Sequence, residues 1–322
     1  MENKGLLQPQ FKDVDSARAF LEAKLWPDGP ICPHCGVLGE AYPLRSKPGT
    51  KNPIRKGVYK CAGCREQFTV TVGTIFEDSK IPLHKWLLAV HLLCSSKKGI
   101  SAHQLWRNLE LGSYRTAWFM AHRIRYAMAE EPLTSLLTGT VEVDETYIGG
   151  KPRYSIPQSA KPGQQPQDHY SPSRKAAVVS VLQRGGRVQS RHVEHVTAKN
   201  LKPIINQMVS EDAHVMTDSS TVLESASMGR QHSQVNHTAK EYVRRENGVC
   251  VTTNGVEGYF SILKRGVNGI YHHWSKKHLH RYLDEFDFRY NGRAISDGER
   301  AVLALKGSAG KRLMLRDSKH LA

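Results

Sequence analysis

Two groups of side chains in this 322-residue chain could do chemistry. The first is four cysteines in two identical spacings, Cys32-Pro-His-Cys35 and Cys61-Ala-Gly-Cys64. Each tight knuckle turns two thiolates toward one point, and the intervening segment is long enough for a short hairpin that brings the second pair opposite the first. That is the pattern of a zinc ribbon. A redox dithiol is the rival reading of one such motif, and the duplication argues against it. Zn²⁺ held by four thiolates keeps no open position, so its role is structural and any catalysis lies elsewhere. His34 then reads as a solvent-facing knuckle residue.

The second group is acidic. Asp144 ends an alternating run that begins at Val141, Asp218 follows His-Val-Met-Thr, and Glu257 falls in the first turn of a predicted helix. Three carboxylates at strand and helix ends could converge on a pair of divalent cations. Mg²⁺ takes oxygen ligands and keeps positions for water and phosphate, so three acids are suitable equipment for two-metal phosphodiester chemistry. Lys264 lies seven residues beyond Glu257, two helical turns along nearly the same face, where it could reach a phosphate. Each acid also has a structural reading. Asp144 could be a surface strand residue beside Glu142 and Glu145, Asp218 a helix cap, and Asn254 with Glu257 a capping box.

The elements that must carry these groups can be read from periodicity. An amphipathic helix around Ala17, Phe20, Leu21 and Leu25, capped by Asp15 or Ser16, precedes the first knuckle, and Gln67 to Val72 alternates as a ribbon strand. Pro82 opens a helix with Trp86, Leu87, Val90 and Leu93 on one side. Ser101 caps another, and Gly112-Ser113 turns into a helix from Tyr114 to Met128, together resembling a helix-turn-helix. On that reading Arg115, Arg123 and Arg125 face DNA; a plain three-helix packing unit is the alternative. From residue 140 the pattern changes to strands at 141–148, 176–182 and 187–196, a helix at 198–209, a strand at 214–217 and a further helix, so the class is α/β with a mixed sheet. Helices over 256–267 and 278–290 follow. Residues 151–175, rich in Pro, Gln, Ser and Lys, read as a loop insertion, and 296–322 as a C-terminal tail.

Lys and Arg outnumber Asp and Glu, 46 against 30, for a net charge of +16, which points to a polyanionic partner, nucleic acid first. No apolar run approaches the ~18 residues that span a bilayer and no signal peptide is visible, so no membrane partner and a cytoplasmic, nucleoid-associated location are expected. Cys94 and Cys250 read as buried thiols. The run of His272, His273, His278 and His280 among Trp274, Lys276, Lys277 and Arg281 reads as a DNA-contacting loop, or a solvated basic face, rather than as a metal site.

Taken in order, the ribbon, Gly-Thr-Ile-Phe before a Trp-containing helix, Val-Asp-Glu-Thr-Tyr-Ile-Gly-Gly, Thr-Asp-Ser, Thr-Asn-Gly-Val-Glu-Gly-Tyr-Phe-Ser-Ile-Leu-Lys-Arg and Arg-Tyr-Leu-Asp-Glu-Phe-Asp-Phe-Arg-Tyr-Asn are similar to the DDE transposases of bacterial insertion sequences. The chain resembles their ISXO-like group, family fifteen-ninety-five, from about residue 15 to 295. The resemblance implies a ribonuclease-H-like core, two catalytic Mg²⁺ (Mn²⁺ as a substitute) beside one structural Zn²⁺, and cleavage and strand transfer at element ends. It puts the triad on Asp144, Asp218 and Glu257, with Asn254 as a reserve ligand and Lys264 as the basic residue that follows. Double-stranded DNA, both element ends and target, is the expected partner, met also by Arg265, Lys276 and Lys277, and a homo-oligomer on DNA is expected because two ends must be held together. The implied organisation is 1–78 N-terminal helix and ribbon, 79–135 helical DNA-binding region, 136–295 catalytic domain and 296–322 tail. A Mg²⁺-dependent nuclease or resolvase without strand transfer, and an inactive zinc-ribbon regulator, are the competing functions.

Overall fold

A computed structural model describes residues 5–130, 135–149, 175–246 and 248–315. The chain divides into two compact units, Met1–Pro132 with Asp284–Ala322, and Leu133–Leu283. Of the expected insertion at 151–175, residues 151–174 lie outside the described residues.

In the first unit, α1 (Val14–Leu25) starts at Asp13, whose carboxylate accepts from the Ser16 amide, two residues before the expected cap, and buries Ala17 and Leu21. The ribbon is a three-stranded antiparallel sheet of β1 (Ala41–Pro43), β2 (Tyr59–Cys61) and β3 (Gln67–Phe68). The expected strand stops after Phe68, because residues 69–79 fold into successive turns that bury Val70, Ile75 and Phe76. Next come α2 (Leu83–Ser95), α3 (Ala102–Asn108) and α4 (Tyr114–Met128), the last two capped by Ser101 and Ser113 as their sequence requires. Trp86, Leu93, Leu105, Met120 and Ile124 form one core with α1.

The second unit is a five-stranded mixed sheet in the order β6-β5-β4-β7-β8. Its strands are β4 (Thr140–Ile148), β5 (Ala176–Gln183), β6 (Val188–Val193), β7 (His214–Asp218) and β8 (Gln231–Val235), with β4 to β6 antiparallel and β4, β7 and β8 mutually parallel. This is the ribonuclease-H-like arrangement expected of the chain. On one face Val141, Val143, Val179, Val181 and Val215 pack against Leu201 and Ile205 of α5 (Ala198–Met208) and Leu223 of α6 (Thr221–Ala226). A small hairpin, β9 (Arg244–Glu246) and β10 (Val249–Val251), precedes α7 (Asn254–Gly266), whose Tyr259 hydroxyl meets Ser190 on the other face. β8 escapes a periodicity reading because Gln-His-Ser-Gln-Val is a polar edge strand. Cys250 is exposed on β10, which among the described residues pairs only with β9, while Cys94 is buried as expected.

The chain then passes through α8 (Leu279–Asn291) into α9 (Asp297–Lys306). Residues 296–306, read as part of a tail, are therefore helical. Ser296 and Glu299 form a reciprocal capping box, and Ala301, Ala304 and Leu305 join the core of the first unit together with Phe288. By their contacts, residues 284–295 fall in the first unit.

Candidate nucleic-acid active site and metal sites

The ribbon brings its four sulfurs within 4.8 Å of one another. Cys32 and Cys64, and Cys35 and Cys61, approach to 3.6 Å. Tetrahedral Zn²⁺ with bonds of about 2.3 Å sets its sulfurs about 3.8 Å apart, so the donors fit one structural ion. Local sequence builds each knuckle. A left-handed residue follows each second cysteine, Gly36 at φ 77° and Arg65 at φ 67°, and the Cys32 and Cys61 amides donate to Val37 and Glu66 carbonyls. With four thiols crowded together, the Cys64 amide is the main influence holding Cys61 down to about 7, while burial and the neighbouring thiols push Cys64 up to about 12. Trp26, Tyr59 and Phe68 pack behind the sulfurs, with the Trp26 ring edge-on to the other two.

Asp144, Asp218 and Glu257 all lie in the second unit. β4 and β7 run parallel with Thr140 opposite His214 and Glu142 opposite Met216, and continuing that register by two residues sets Asp144 beside Asp218. Burial, and then the charges of Asp218, Glu145 and Glu257, push the Asp144 carboxyl up to about 7. The three sequence-predicted acids are thus electrostatic neighbours, and their repulsion is what a bound cation relieves. Among the described residues only the cysteines form a set of three or more such groups with all ligand atoms within 4.8 Å. Two metals about 3.5–4 Å apart do not require every acid to reach the same ion.

Each acid is held by one oxygen. Asp144 Oδ1 accepts from the Glu145 amide at 2.7 Å and Asp218 Oδ1 from the Ser220 amide at 3.1 Å. Asp218 thus bonds only the second residue after it, and α6 has no side-chain cap at Ser220. Glu257 Oε1 accepts from the Thr253 hydroxyl at 3.2 Å and lies 3.1 Å from His237 Nε2. The Asn254–Glu257 capping box does not form. The first turn of α7 is satisfied instead by Glu142, whose Oε2 accepts from the Val256 amide at 3.0 Å. Asn254 is exposed at the first residue of α7. Periodicity reasoning missed Glu142, Glu145 and His237. The alternation of β4 does place Glu142 on the face of Asp144. Glu145 is also pushed up, by burial and then Asp218, and its Oε2 is buried without a hydrogen-bond partner.

Comparison with known proteins identifies the family. Residues 136–291 match the model of the ISXO2-like transposase domain, and residues 12–67 that of the transposase zinc-ribbon domain. The chain belongs to the IS1595 transposase family. It is 27% identical over 283 residues to an uncharacterized protein in transposable element ISH50 of Halobacterium salinarum, an alignment covering 82% of this chain and 86% of that protein. No solved structure matches.

Of the cations that this transposase was expected to present to DNA, Arg115, Lys264, Arg265 and Lys276 are exposed, and Lys277 is half-buried. Arg265 is drawn back onto Ser261 of the preceding turn. Arg123 and Arg125 are placed differently, only 6% and 2% exposed. Arg123 donates to the Glu77 carbonyl under the Trp86 ring, and burial lowers it to about 10. Arg125 pairs at 2.6 Å with Glu285, which also binds Arg289. Both are structural cations inside the helical unit, because α4 is packed on more than the one face that its apolar residues mark. Among the described residues no helix is long and apolar enough to cross a membrane.

Proposed function

We propose that this transposase cuts and rejoins DNA at the ends of its element, using Asp144, Asp218 and Glu257 to hold two Mg²⁺ ions. The observation that carries the reading is the gathering of Asp218, Glu145 and Glu257 about a buried Asp144, whose carboxyl is brought to about 7 by burial first and by those charges second. When bound, the ions activate the attacking oxygen and stabilise the leaving 3′ oxygen of an in-line displacement.

The side chains of the chain prepare that event. Asp144 and Asp218 each commit one oxygen to a backbone amide, which fixes the carboxylate plane and leaves the other oxygen for a cation. Thr253 and His237 orient Glu257. Lys264, about 10 Å further along α7, is exposed where a flanking phosphate would pass. In hydrolysis a water oxygen bonds to phosphorus and the 3′ oxygen departs with a proton. In joining, that 3′-hydroxyl forms the new bond to a target phosphate and the target's own 3′ oxygen leaves. Both steps have the same stereochemical demand, so one site serves both. The ribbon, Arg115, Lys264, Arg265, Lys276 and Lys277 hold the DNA, and a homo-oligomer holds two ends together.

The test is incubation of the purified protein with labelled element ends, a target plasmid and Mg²⁺. Joined products are expected. Cleaved ends without joining would replace the reading by a nuclease, and end binding without chemistry by a regulator. Asp144→Ala should abolish both steps while end binding persists, and joining by that variant would remove Asp144 from the site.

A further inference from the structure

Glu142 is 1% exposed and lies two residues before Asp144 on the same face of β4. A buried carboxylate is costly unless its oxygens are satisfied, and both of these are. Oε1 accepts from Arg184 Nε at 3.0 Å and from Nη2 at 2.9 Å. Oε2 accepts from the Val256 amide at 3.0 Å, the third residue of α7. That amide needs a partner, because Thr253 at the start of α7 supplies no side-chain cap. Glu142 thus does, from a neighbouring strand, what a capping residue does locally, and its charge sits at the positive end of the helix.

The other end of the contact is equally specific. Arg184, in the turn between β5 and β6, also donates to the Cys250 carbonyl at 2.8 Å and to the Thr252 carbonyl at 3.2 Å. One guanidinium therefore ties the strand of Asp144 to the segment that leads into the helix of Glu257. Gly255 belongs to the same device. A Cβ there would stand 2.7 Å from Glu142 Oε2, so a side chain at 255 would push the carboxylate off the Val256 amide.

We propose that Glu142 and Arg184 are positioning residues that set the distance between Asp144 and Glu257, with Gly255 as the clearance that lets the contact close. The proposal rests on the assignment of those two acids to the metal site. Glu142 touches no substrate; it acts by fixing the first turn of α7 against β4. Glu142→Gln replaces one acceptor by a donor and cannot satisfy Arg184 and Val256 together. Gly255→Ala leaves every charge in place and disturbs only the geometry, so it separates positioning from electrostatics.

Two measurements on the full chain test this. Residue-resolved hydrogen exchange should show the Val256 amide exchanging at least about tenfold faster in Glu142→Gln and Gly255→Ala, with Leu263 of the same helix unchanged. Unchanged Val256 protection overturns the clamp, whatever the protein does to DNA. In the cleavage assay both variants should require at least about tenfold more Mg²⁺ for half-maximal rate, bind ends normally in Ca²⁺, and be largely rescued by Mn²⁺. A purely structural role would not move the metal requirement, so a wild-type Mg²⁺ titration in a folded Gly255→Ala variant also overturns the proposal. If Glu142→Gln does not fold, Gly255→Ala and Arg184→Lys decide. Absence of cleavage by the wild-type protein would sink the catalytic reading instead, and the exchange measurement would still judge the contact.

Discussion

Replacing Asp144 by asparagine should abolish DNA chemistry and at the same time stabilise the metal-free protein. In the fold, burial followed by the charges of Asp218, Glu145 and Glu257 brings the Asp144 carboxyl to about 7, against about 3.9 for an aspartate in an unfolded chain. The native state therefore binds the Asp144 proton more tightly than the unfolded state between those two values. Stability conferred on the fold by this group is highest below about pH 4, falls as pH rises through the window from about 4 to about 7, and is lowest above it. About three pKa units at about 1.4 kcal/mol each set a ceiling of about 4 kcal/mol at neutral pH. Relaxation of the neighbouring acids reduces it, and a gain of about 1–3 kcal/mol is expected for Asp144→Asn at pH 8. The asparagine oxygen can still accept from the Glu145 amide, so the substitution removes charge and keeps the local contact. The assay is native-state hydrogen exchange of β4 and β5 amides between pH 5 and 8, corrected for intrinsic rates. The variant should gain most protection at pH 8, about a third as much at pH 5, and lose its advantage when Mg²⁺ is added, because saturation at a hundred times Kd stabilises the wild type alone by about 2.7 kcal/mol. A variant less protected than wild type at pH 8, or an equal pH slope in both, would refute the claim that burial and neighbouring charge disfavour the ionised form of Asp144.

Other perturbations separate the remaining parts of the molecule. Cys35→Ser should reduce zinc from one ion per chain toward none and remove protection from β1 to β3, since metal binding of about 10–16 kcal/mol supplies the folding energy of such a ribbon; elemental analysis with exchange of ribbon amides checks it. Arg125→Ala should cost about 3–5 kcal/mol of stability by removing one partner of the buried Glu285 carboxylate, and its end binding should fall only as far as its folded fraction falls. Arg115→Ala should change stability by less than about 0.5 kcal/mol yet weaken end binding and lower the logarithmic salt slope by about one, measured by anisotropy at several salt concentrations. Asp218→Ala and Glu257→Ala should each block cleavage and joining with end binding retained; if Glu257→Ala cleaves and Asn254→Ala does not, the third ligand is Asn254.

Much of the site was legible in the residues because local rules write it. Two CxxC motifs dictate their own knuckles, and the alternation from Val141 to Asp144 announces a strand with its apolar side on Val141 and Val143, as observed. The ends of β7 and α7 could likewise be read from Asp218 and from the periodicity after Val256. Periodicity does not say how much of a helix is covered. Arg123 and Arg125 read as surface cations, yet packing around α4 buries them. The polar edge strand β8 carries no alternation, and α9 is announced only by the capping box of Ser296 and Glu299.

By itself, the sequence determined the groups that could act: four thiolates for zinc, three acids for a cation pair, and an excess of positive charge for DNA. Those properties belong to residue types and to spacings of a few residues, which the backbone turns into geometry without outside help. The tertiary structure alone decided which carboxylates feel one another and what holds them. Glu142 meets Val256 across 114 positions of sequence, and Arg184 meets Thr252 across 68. A hydrogen bond between segments so distant is specified by the pairing of the sheet and the docking of α7 on it, and no local pattern encodes either.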